Sequence, residues 1–234
     1  MIIIKNLEKK FGKIYALKDI NMEIEKGKIT SLIGPNASGK TTLIKSILGL
    51  VIPTNGKILV NDIDIFKDYR YRKNIGYTSQ LANFPDNLTV NEFFNMMQDI
   101  RGKNAEKKLK DLIEIFELES QLNKKIKSLS GGTKQKVNII LALMFDPEIL
   151  IFDEPTVGLD PITSIKFKKL ILEEKNKGKT IIYVSHIINE IEDLADNLGF
   201  MIEGKIAFFG SIQELKEKTN TQNLEDAIVC SLNS

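Results

Sequence analysis

KITSLIGPNASGKTTLIKSIL, at positions 28–48, is the stretch of this chain that decides its fold. The apolar run ending at Ile33 predicts a strand, and the run from Thr41 to about Leu48 predicts a helix. Between them, positions 34–41 match the pattern G-x-x-x-x-G-K-[ST], a loop whose backbone N–H groups can surround phosphates. The alternative is an ordinary strand-to-helix turn, and the strand–loop–helix context argues against it.

The residues of this loop have distinct predicted roles. Lys40 would reach the terminal phosphates of a nucleotide, and the hydroxyl of Thr41 would bind Mg²⁺. The dipole of the following helix would add positive potential. The predicted phosphate-binding residues are Gly34, Pro35, Asn36, Ala37, Ser38, Gly39, Lys40, Thr41 and Thr42.

Strand and helix patterns alternate along much of the remaining chain. Strands are predicted at 2–4, 20–24, 57–60, 75–78, 149–152 and 180–184, and helices after Pro161 and His186. From about Leu81 to Met144 the pattern is helical, and at 105–116 apolar residues recur on one helix face. Buried strands between helices predict an α/β fold with a parallel sheet, into which segment 81–144 is inserted as a helical subdomain.

Length and composition restrict the class of protein. The 234 residues suit one domain with a subdomain, and a net charge of +2 favours neither nucleic-acid binding nor its absence. A single cysteine, Cys230, excludes an internal disulfide and suits a reducing compartment. The longest apolar run, 137–145, contains Asn138 and is far shorter than the roughly 20 residues of a membrane span. A role at a membrane would therefore need a partner.

Two acidic residues follow a predicted buried strand. Asp153 and Glu154 come at the carboxyl end of the apolar run 149–152, the edge at which open α/β sheets bind ligands. Asp153 suits Mg²⁺, and Glu154 is placed to orient or deprotonate an attacking water. A solvated acidic strand end is the alternative, which the phosphate loop makes less favourable.

Two other polar residues follow predicted strands in the same way. His186, the only histidine, could contact the γ-phosphate of a nucleotide, and a purely structural histidine is the alternative. Gln80 could touch the metal or the attacking water, and the alternative is an ordinary loop glutamine.

The segment LSGGTKQ at 129–135 predicts a second anion-binding element. Ser130 stands where a helix begins, and exposed amides at a helix N-terminus bind anions. Gly131 and Gly132 are costly there unless something must approach the backbone closely.

Taken in order, these motifs resemble those of the nucleotide-binding subunits of ATP-binding-cassette (ABC) transporters. The resemblance runs from Phe11 to about Gly210 and rests on 34–41, Gln80, 129–135, 153–154, 158–160 and His186. It implies a P-loop NTPase core with an N-terminal antiparallel β subdomain, the helical insert at about 81–144, and a short helical tail at about 211–234. All of these would belong to one domain, 1–234.

The resemblance also implies a mechanism. ATP and Mg²⁺ would be the cofactors, with the Mg²⁺ held by Thr41, Gln80 and Asp153. Glu154, His186 and Gln80 would be catalytic. The ring of Phe11 would stack on adenine, and Tyr15 is the alternative.

The same resemblance implies two kinds of partner. A second copy, or a homologous ATPase, would pair head-to-tail, so that Ser130, Gly131 and Gly132 bind the other copy's nucleotide and Asp160 crosses the interface. A transmembrane permease subunit would hold the chain peripherally at the cytoplasmic face of the membrane. No nucleic-acid partner is expected.

One residue departs from the family pattern. Ala37 stands where members usually carry glycine. An alanine costs about 1 kcal/mol if that position needs a left-handed backbone, so nucleotide affinity could be lowered slightly.

Two further resemblances concern the kind of transporter. Segment 87–92 and the short tail after Gly210 resemble exporter-type subunits. Segments 129–137, 145–147 and 185–187 resemble the ATPase of the transporter that assists copper-site maturation of nitrous oxide reductase.

A group of apolar residues in the insert has two interpretations. It could form a groove that receives a helix of the membrane partner, or it could be the insert's own core. Phe84 and Met97 are the groove candidates. The group comprises Phe84, Leu88, Phe93, Phe94, Met96 and Met97.

Three other kinds of protein are alternatives to a transporter subunit. Soluble ABC factors that act on ribosomes usually carry two cassettes in one chain, and this chain has one. DNA-repair or chromosome ATPases place a long coiled coil between their phosphate loop and their acidic strand. Here Gly34 and Asp153 are only 119 positions apart, with no sustained heptads between them. A catalytically decayed adaptor is disfavoured because Lys40, Glu154 and His186 are all present.

Overall fold

The computed structural model describes residues 1–80, 83–102 and 104–232. Its strands are β1 Ile2–Phe11, β2 Ile14–Ile24, β3 Ile29–Ile33, β4 Asn55–Val60, β5 Ile63–Asp64, β6 Ile75–Thr78, β7 Ile149–Asp153, β8 Thr180–Val184, β9 Asn197–Ile202 and β10 Lys205–Gly210. Its α-helices are α1 Lys40–Ile47, α2 Val90–Arg101, α3 Glu106–Ile115, α4 Gly131–Leu143, α5 Pro161–Asn176, α6 Ile188–Leu194, α7 Ile212–Thr219 and α8 Leu224–Leu232. Short 3₁₀ turns occupy Tyr69–Asn74, Glu119–Gln121 and Ile126–Ser128.

The strands form two sheets. A six-stranded sheet has the order β10-β9-β3-β8-β7-β6, and every pair in it is parallel except β9 with β10. A four-stranded antiparallel sheet has the order β2-β1-β4-β5. The expected parallel core and N-terminal antiparallel sheet are therefore confirmed.

Burial explains the inner strands of the parallel sheet. Each residue of β3, β7 and β8 is buried, and the largely apolar sequences of β7 and β8 reflect this burial, whereas β3 also buries Thr30 and Ser31. Since β3, β7 and β8 are parallel neighbours of one sheet, their carboxyl ends meet at one edge. This edge carries the phosphate loop, Asp153 and His186.

The predictions for the antiparallel strands were too short. β1 and β2 extend as a hairpin to the pair Phe11–Ile14, well beyond the predicted 2–4 and 20–24. The outer end of β1 carries Lys9 and Lys10, and the apolar Ile14 and Tyr15 of β2 are exposed, so neither end shows the alternation of a half-buried strand. The β9–β10 hairpin at the sheet edge was not predicted, although β9 is almost wholly buried.

The helical segment contains α2, α3 and α4. Thr89 and Glu92 form a reciprocal capping box that starts α2. The amphipathic run predicted at 105–116 is α3, with Leu109 and Leu112 buried. Leu81, where the insert was predicted to begin, lies outside the described residues.

The apolar group of the insert packs mostly inward. Phe93 and Phe94 are buried, and the rings of Phe84 and Phe93 lie 5.1 Å apart between centroids. Phe84 and Met97 are only partly buried and pack against the same core. Most of this group therefore belongs to the core of the insert.

The chain's last two described helices, α7 and α8, cover β9 and α6 through a small apolar cluster that includes Leu198, Leu215 and Leu224. Across 1–80, 83–102 and 104–232, the structure contains no helix that is long and apolar enough to cross a membrane.

Candidate functional site

The phosphate loop joins β3 to α1. Its Ser38 N–H donates to the carbonyl of Pro35, which closes a turn within the loop (3.2 Å). Within the described ranges no side chain caps α1 at Gly39, so the first-turn amides of the helix are available to an anion. The Lys40 ammonium donates to the carbonyls of Gly34 (2.6 Å) and Pro35 (3.0 Å). Lys40 therefore lies along the loop in which it is predicted to bind the terminal phosphates.

The backbone of Ala37 is left-handed, with φ at 63°. This is the conformation for which the family pattern places a glycine. The strain expected from the sequence is therefore present in the folded loop.

The acidic pair ends β7 beside the phosphate loop. Asp153 and Glu154 are both buried. Burial raises the pKa of Asp153, the carboxylate of Glu154 raises it further, and Lys40 opposes both effects. In turn, burial lowers the pKa of Lys40, and the two carboxylates oppose that shift. Unlike charges thus face each other where water is partly excluded, which strengthens their interaction.

Glu154 and His186 are in direct contact. The backbone of Glu154 is left-handed (φ 52°), and its N–H donates to the carbonyl of Val184 (2.9 Å) at the end of β8. His186 follows two residues later, and its Nδ1 lies 2.8 Å from Glu154 Oε2. The imidazole itself is largely exposed. Two residues predicted separately from the sequence therefore form one pair.

One cleft of about 740 Å³ brings most of the predicted residues together. Its lining includes Phe11, Tyr15, Gly34, Asn36, Ala37, Ser38, Gly39, Lys40, Thr41, Thr42, Gln80, Asp153, Glu154 and His186. Sequence reasoning missed Ile14, Ala16 and Val184, which also line it. Ile14 is an exposed apolar residue at the tip of a hairpin, and that pattern could have identified it.

Two aromatic side chains stand at the cleft. Phe11 is 50% exposed and Tyr15 is 46% exposed. The Lys9 ammonium lies 4.8 Å from the ring centroid of Phe11, and that of Lys10 lies 4.8 Å from that of Tyr15. Either ring is available to stack on a base.

The Ser130 segment does not line this cleft. Ser130 caps α4, where its Oγ accepts the N–H of Thr133 (3.2 Å), and the serine remains exposed. A Cβ on Gly132 would lie 2.5 Å from the carbonyl oxygen of Gly158, so only glycine fits there, whereas Gly131 faces open space. The close approach expected for the two glycines thus comes, at Gly132, from the chain itself.

Asp160 also lies outside the residues that line the cleft. It caps α5, and its carboxylate accepts from the N–H (2.9 Å) and the hydroxyl (2.6 Å) of Thr163. The structure therefore brings Phe11, the phosphate loop and three strand ends together, although Pro35 of the loop does not line the cleft. It leaves Ser130, Gly131, Gly132 and Asp160 elsewhere.

Comparison with known sequences identifies relatives over almost the whole chain. The family model described as "ABC transporter" matches residues 17–157. The lantibiotic transport ATP-binding protein SrtF of Streptococcus pyogenes is 37% identical over 226 residues, covering 97% of this chain and 95% of SrtF. The probable multidrug ABC transporter ATP-binding protein YbhF of Escherichia coli (strain K12) is 34% identical over 95% of this chain. The chain spans only 39% of the length of YbhF.

Solved structures agree in fold. An ATP-binding subunit of an ABC transporter superposes with a TM-score of 0.94 at 27% identity, covering 99% of both chains. The dimeric structure of MJ0796, a bacterial ABC transporter cassette, superposes with a TM-score of 0.82 at 30% identity, covering 90% of this chain and 98% of that one. Together with the family match, these likenesses show that the chain belongs to the ABC transporter family.

Proposed function

We propose that this chain binds and hydrolyses ATP as the nucleotide-binding subunit of a membrane transporter. The observation that carries the proposal is the single cleft in which the phosphate loop faces the Glu154–His186 pair. The products would be ADP and phosphate.

Each charged residue of the cleft has a role in that reaction. Lys40 binds the terminal phosphates and offsets the charge that develops on them. Glu154 accepts the proton of the water that attacks the γ-phosphorus while the bond to the bridging oxygen of ADP breaks. His186, held 2.8 Å from Glu154, orients that carboxylate and contacts the γ-phosphate.

The donor set of the cleft fits Mg²⁺. The hydroxyl of Thr41, the amide oxygen of Gln80 and the carboxylate of Asp153 are hard oxygen ligands that line the same cleft. Mg²⁺ in such sites uses one or two carboxylates, substrate phosphates and water. When bound, the ion would neutralise charge on the phosphates.

Base binding is assigned to Phe11. Its half-exposed ring lies at the tip of the β1–β2 hairpin, on the same cleft as the phosphate loop. Tyr15 is the alternative stacking partner.

The hydrolytic site is completed by a second copy. Ser130, Gly131 and Gly132 carry amides suited to an anion, yet they lie outside their own chain's cleft. In a head-to-tail pair they bind the nucleotide held by the opposite phosphate loop, and Asp160 lies at the interface. The dimeric structure of the similar cassette MJ0796 supports this arrangement.

A permease subunit supplies the membrane-spanning part. Phe84 and Met97, partly buried on the insert, are the docking candidates, and the chain would sit peripherally on the cytoplasmic face. SrtF is named for lantibiotic transport and YbhF for multidrug transport, which supports an export direction. The likeness to the ATPase for nitrous oxide reductase copper-site maturation rests on short segments and stays a prediction.

Two substitutions test the proposal. Lys40→Ala should abolish ATP binding, measured with a fluorescent ATP analogue, because it removes the phosphate-binding cation. Glu154→Gln should keep that binding and lower turnover by about 10²-fold or more, because the base is lost. Normal turnover in Glu154→Gln would refute its assignment as the base, and tight binding in Lys40→Ala would refute that of the loop.

A further inference from the structure

Asn138 is a buried amide on an otherwise apolar stretch of α4. It is the one polar residue of the run 137–145 and is only 5% exposed. Burying an amide without a hydrogen-bond partner is costly, so the partners of Asn138 indicate its role. Its Nδ2 donates to the carbonyl of Ser79 (3.0 Å), the residue before Gln80.

Gln135 lies one turn earlier on the same face of α4 and is also buried. Its Nε2 donates to the carbonyl of Pro155 (2.9 Å), the residue after Glu154. The Nδ2 of Asn138 lies 3.4 Å from the Oε1 of Gln135, which brings the two amides side by side. One helix face therefore holds the backbone next to two predicted catalytic residues.

The backbone of α4 also packs directly on β6. A Cβ on Gly76 would lie 1.9 Å from the carbonyl oxygen of Ala142, so no side chain separates strand and helix there. The strand runs on from Gly76 to Thr78, and the chain then reaches Ser79 and Gln80. Helix α4 therefore lies against β6 at Gly76. Nearer the cleft, Asn138 makes the polar contact with Ser79, just beyond the end of the strand.

We propose that Asn138 and Gln135 are positioning residues that set Gln80 and Glu154 in the cleft through the carbonyls of Ser79 and Pro155. The same helix begins at Gly131. A nucleotide that lies in the second copy's phosphate loop and contacts Ser130 of this chain is therefore linked through α4 to this chain's own catalytic residues. This inference rests on the proposed function, which assigns Gln80 and Glu154.

The expected size of the effect follows from geometry. A displacement of about 1 Å in a positioned group can cost about 10²-fold in rate. We expect loss of one backbone contact to displace Gln80 by less than this, and therefore a fall in kcat of about tenfold. The phosphate loop and Phe11 are not contacted by Asn138, so KM for ATP should stay within about twofold.

The test is steady-state ATP hydrolysis by the purified full chain. Asn138→Leu keeps a branched side chain without the donor, and Asn138→Ala removes both donor and bulk. Both should lower kcat about tenfold and raise the Mg²⁺ concentration for half-maximal rate about threefold, since Gln80 is assigned to the metal. Ile140→Val, a buried change in the same helix, is the matched control and should lower only the melting temperature.

A double-mutant cycle with Gln80→Ala then separates a positioning role from a general one. In the Gln80→Ala background, Asn138→Leu should lower kcat no further. The proposal would be overturned if kcat is unchanged in both Asn138 variants or falls only in Asn138→Leu. It would also be overturned if Asn138→Leu lowers kcat as much in the Gln80→Ala background as in the unsubstituted chain. Absence of hydrolysis by the unsubstituted chain would instead contradict the proposed function itself.

Discussion

Glu174 is a fully buried carboxylate on α5, and replacing it with glutamine should destabilise the fold strongly. Its Oε1 accepts from the ammonium groups of Lys108 (2.7 Å) and Lys177 (2.9 Å), and Lys179 pairs with its other oxygen. Lys108 belongs to α3, so this cluster ties the helical insert to the core. Glu174→Gln leaves three ammonium groups without their shared anion.

The pKa of Glu174 gives the expected loss of stability in Glu174→Gln. Burial alone would raise this pKa, but the hydrogen bonds from Lys108, Lys179 and Lys177 lower it from 4.5 to about 2. This lowering of the pKa corresponds to about 3 kcal/mol of stability from the charged form. Removal of one partner from a buried ion pair costs a similar amount, about 3–5 kcal/mol.

The pH dependence has a definite sign. Because the folded-state pKa lies below the unfolded one, the contribution of Glu174 is present above about pH 4.5. It is lost as the pH falls towards about 2. Glu174→Gln should therefore lose about 3 kcal/mol at pH 7, and the difference from the unsubstituted protein should shrink below about pH 4.

Urea unfolding at pH 7 and at several acid pH values measures this difference. Glu173→Gln, the same charge change at an exposed position of the same helix, is the matched control and should cost less than about 0.5 kcal/mol. A loss below about 1 kcal/mol in Glu174→Gln, or a loss that does not vary with pH, would refute the reasoning.

Further predictions concern the phosphate loop, the base and the docking face. Ala37→Gly should leave the Kd for ATP within about twofold and change the free energy of unfolding by less than about 1 kcal/mol. The reason is that the relieved backbone strain is offset by the greater entropy of the unfolded chain. Binding of ATP that is tenfold tighter would show that the loop with Ala37 does not hold its left-handed conformation on its own. Phe11→Ala should weaken binding of a fluorescent ATP analogue by about tenfold, and Tyr15→Ala by less than about threefold; the reverse order would move base stacking to Tyr15. Phe84→Glu with Met97→Glu should abolish co-purification of the permease while ATP binding persists, and undiminished co-purification would remove this face as the docking site.

Much of the fold could be predicted because its inner strands are buried on both faces. Segment 180–184 was predicted with the bounds that the structure shows, since its apolar run identifies an inner strand directly. Segment 75–78 also has its observed bounds, although it forms β6 at the edge of the sheet. β1 and β2 were predicted too short because their outer ends, with Lys9 and Lys10 on β1 and exposed Ile14 and Tyr15 on β2, lack the alternation of a half-buried strand. Their length depends on pairing with each other and with β4, which no local pattern reports.

Some features of the candidate site could likewise be predicted from the sequence and others could not. Asp153 and His186 could be placed because they come at the carboxyl ends of β7 and β8, and Lys40 because its loop follows β3. The contact between His186 and Glu154 could not, since it depends on a left-handed turn at Glu154. The buried amide of Asn138 looked from the sequence only like a break in an apolar run, because its partner lies 59 positions away.

ATP-driven dimerisation is the central claim, and the molar mass of Glu154→Gln in solution tests it most directly. By light scattering during size-exclusion chromatography, Glu154→Gln should be monomeric without nucleotide and dimeric in Mg-ATP, because hydrolysis no longer opens the pair. Adding Ser130→Arg should restore the monomer while ATP binding persists. Ser120→Arg, the same change at an exposed position of the insert, should leave the dimer intact. A Glu154→Gln chain that stays monomeric at saturating Mg-ATP, or one that still dimerises with Ser130→Arg, would contradict the account.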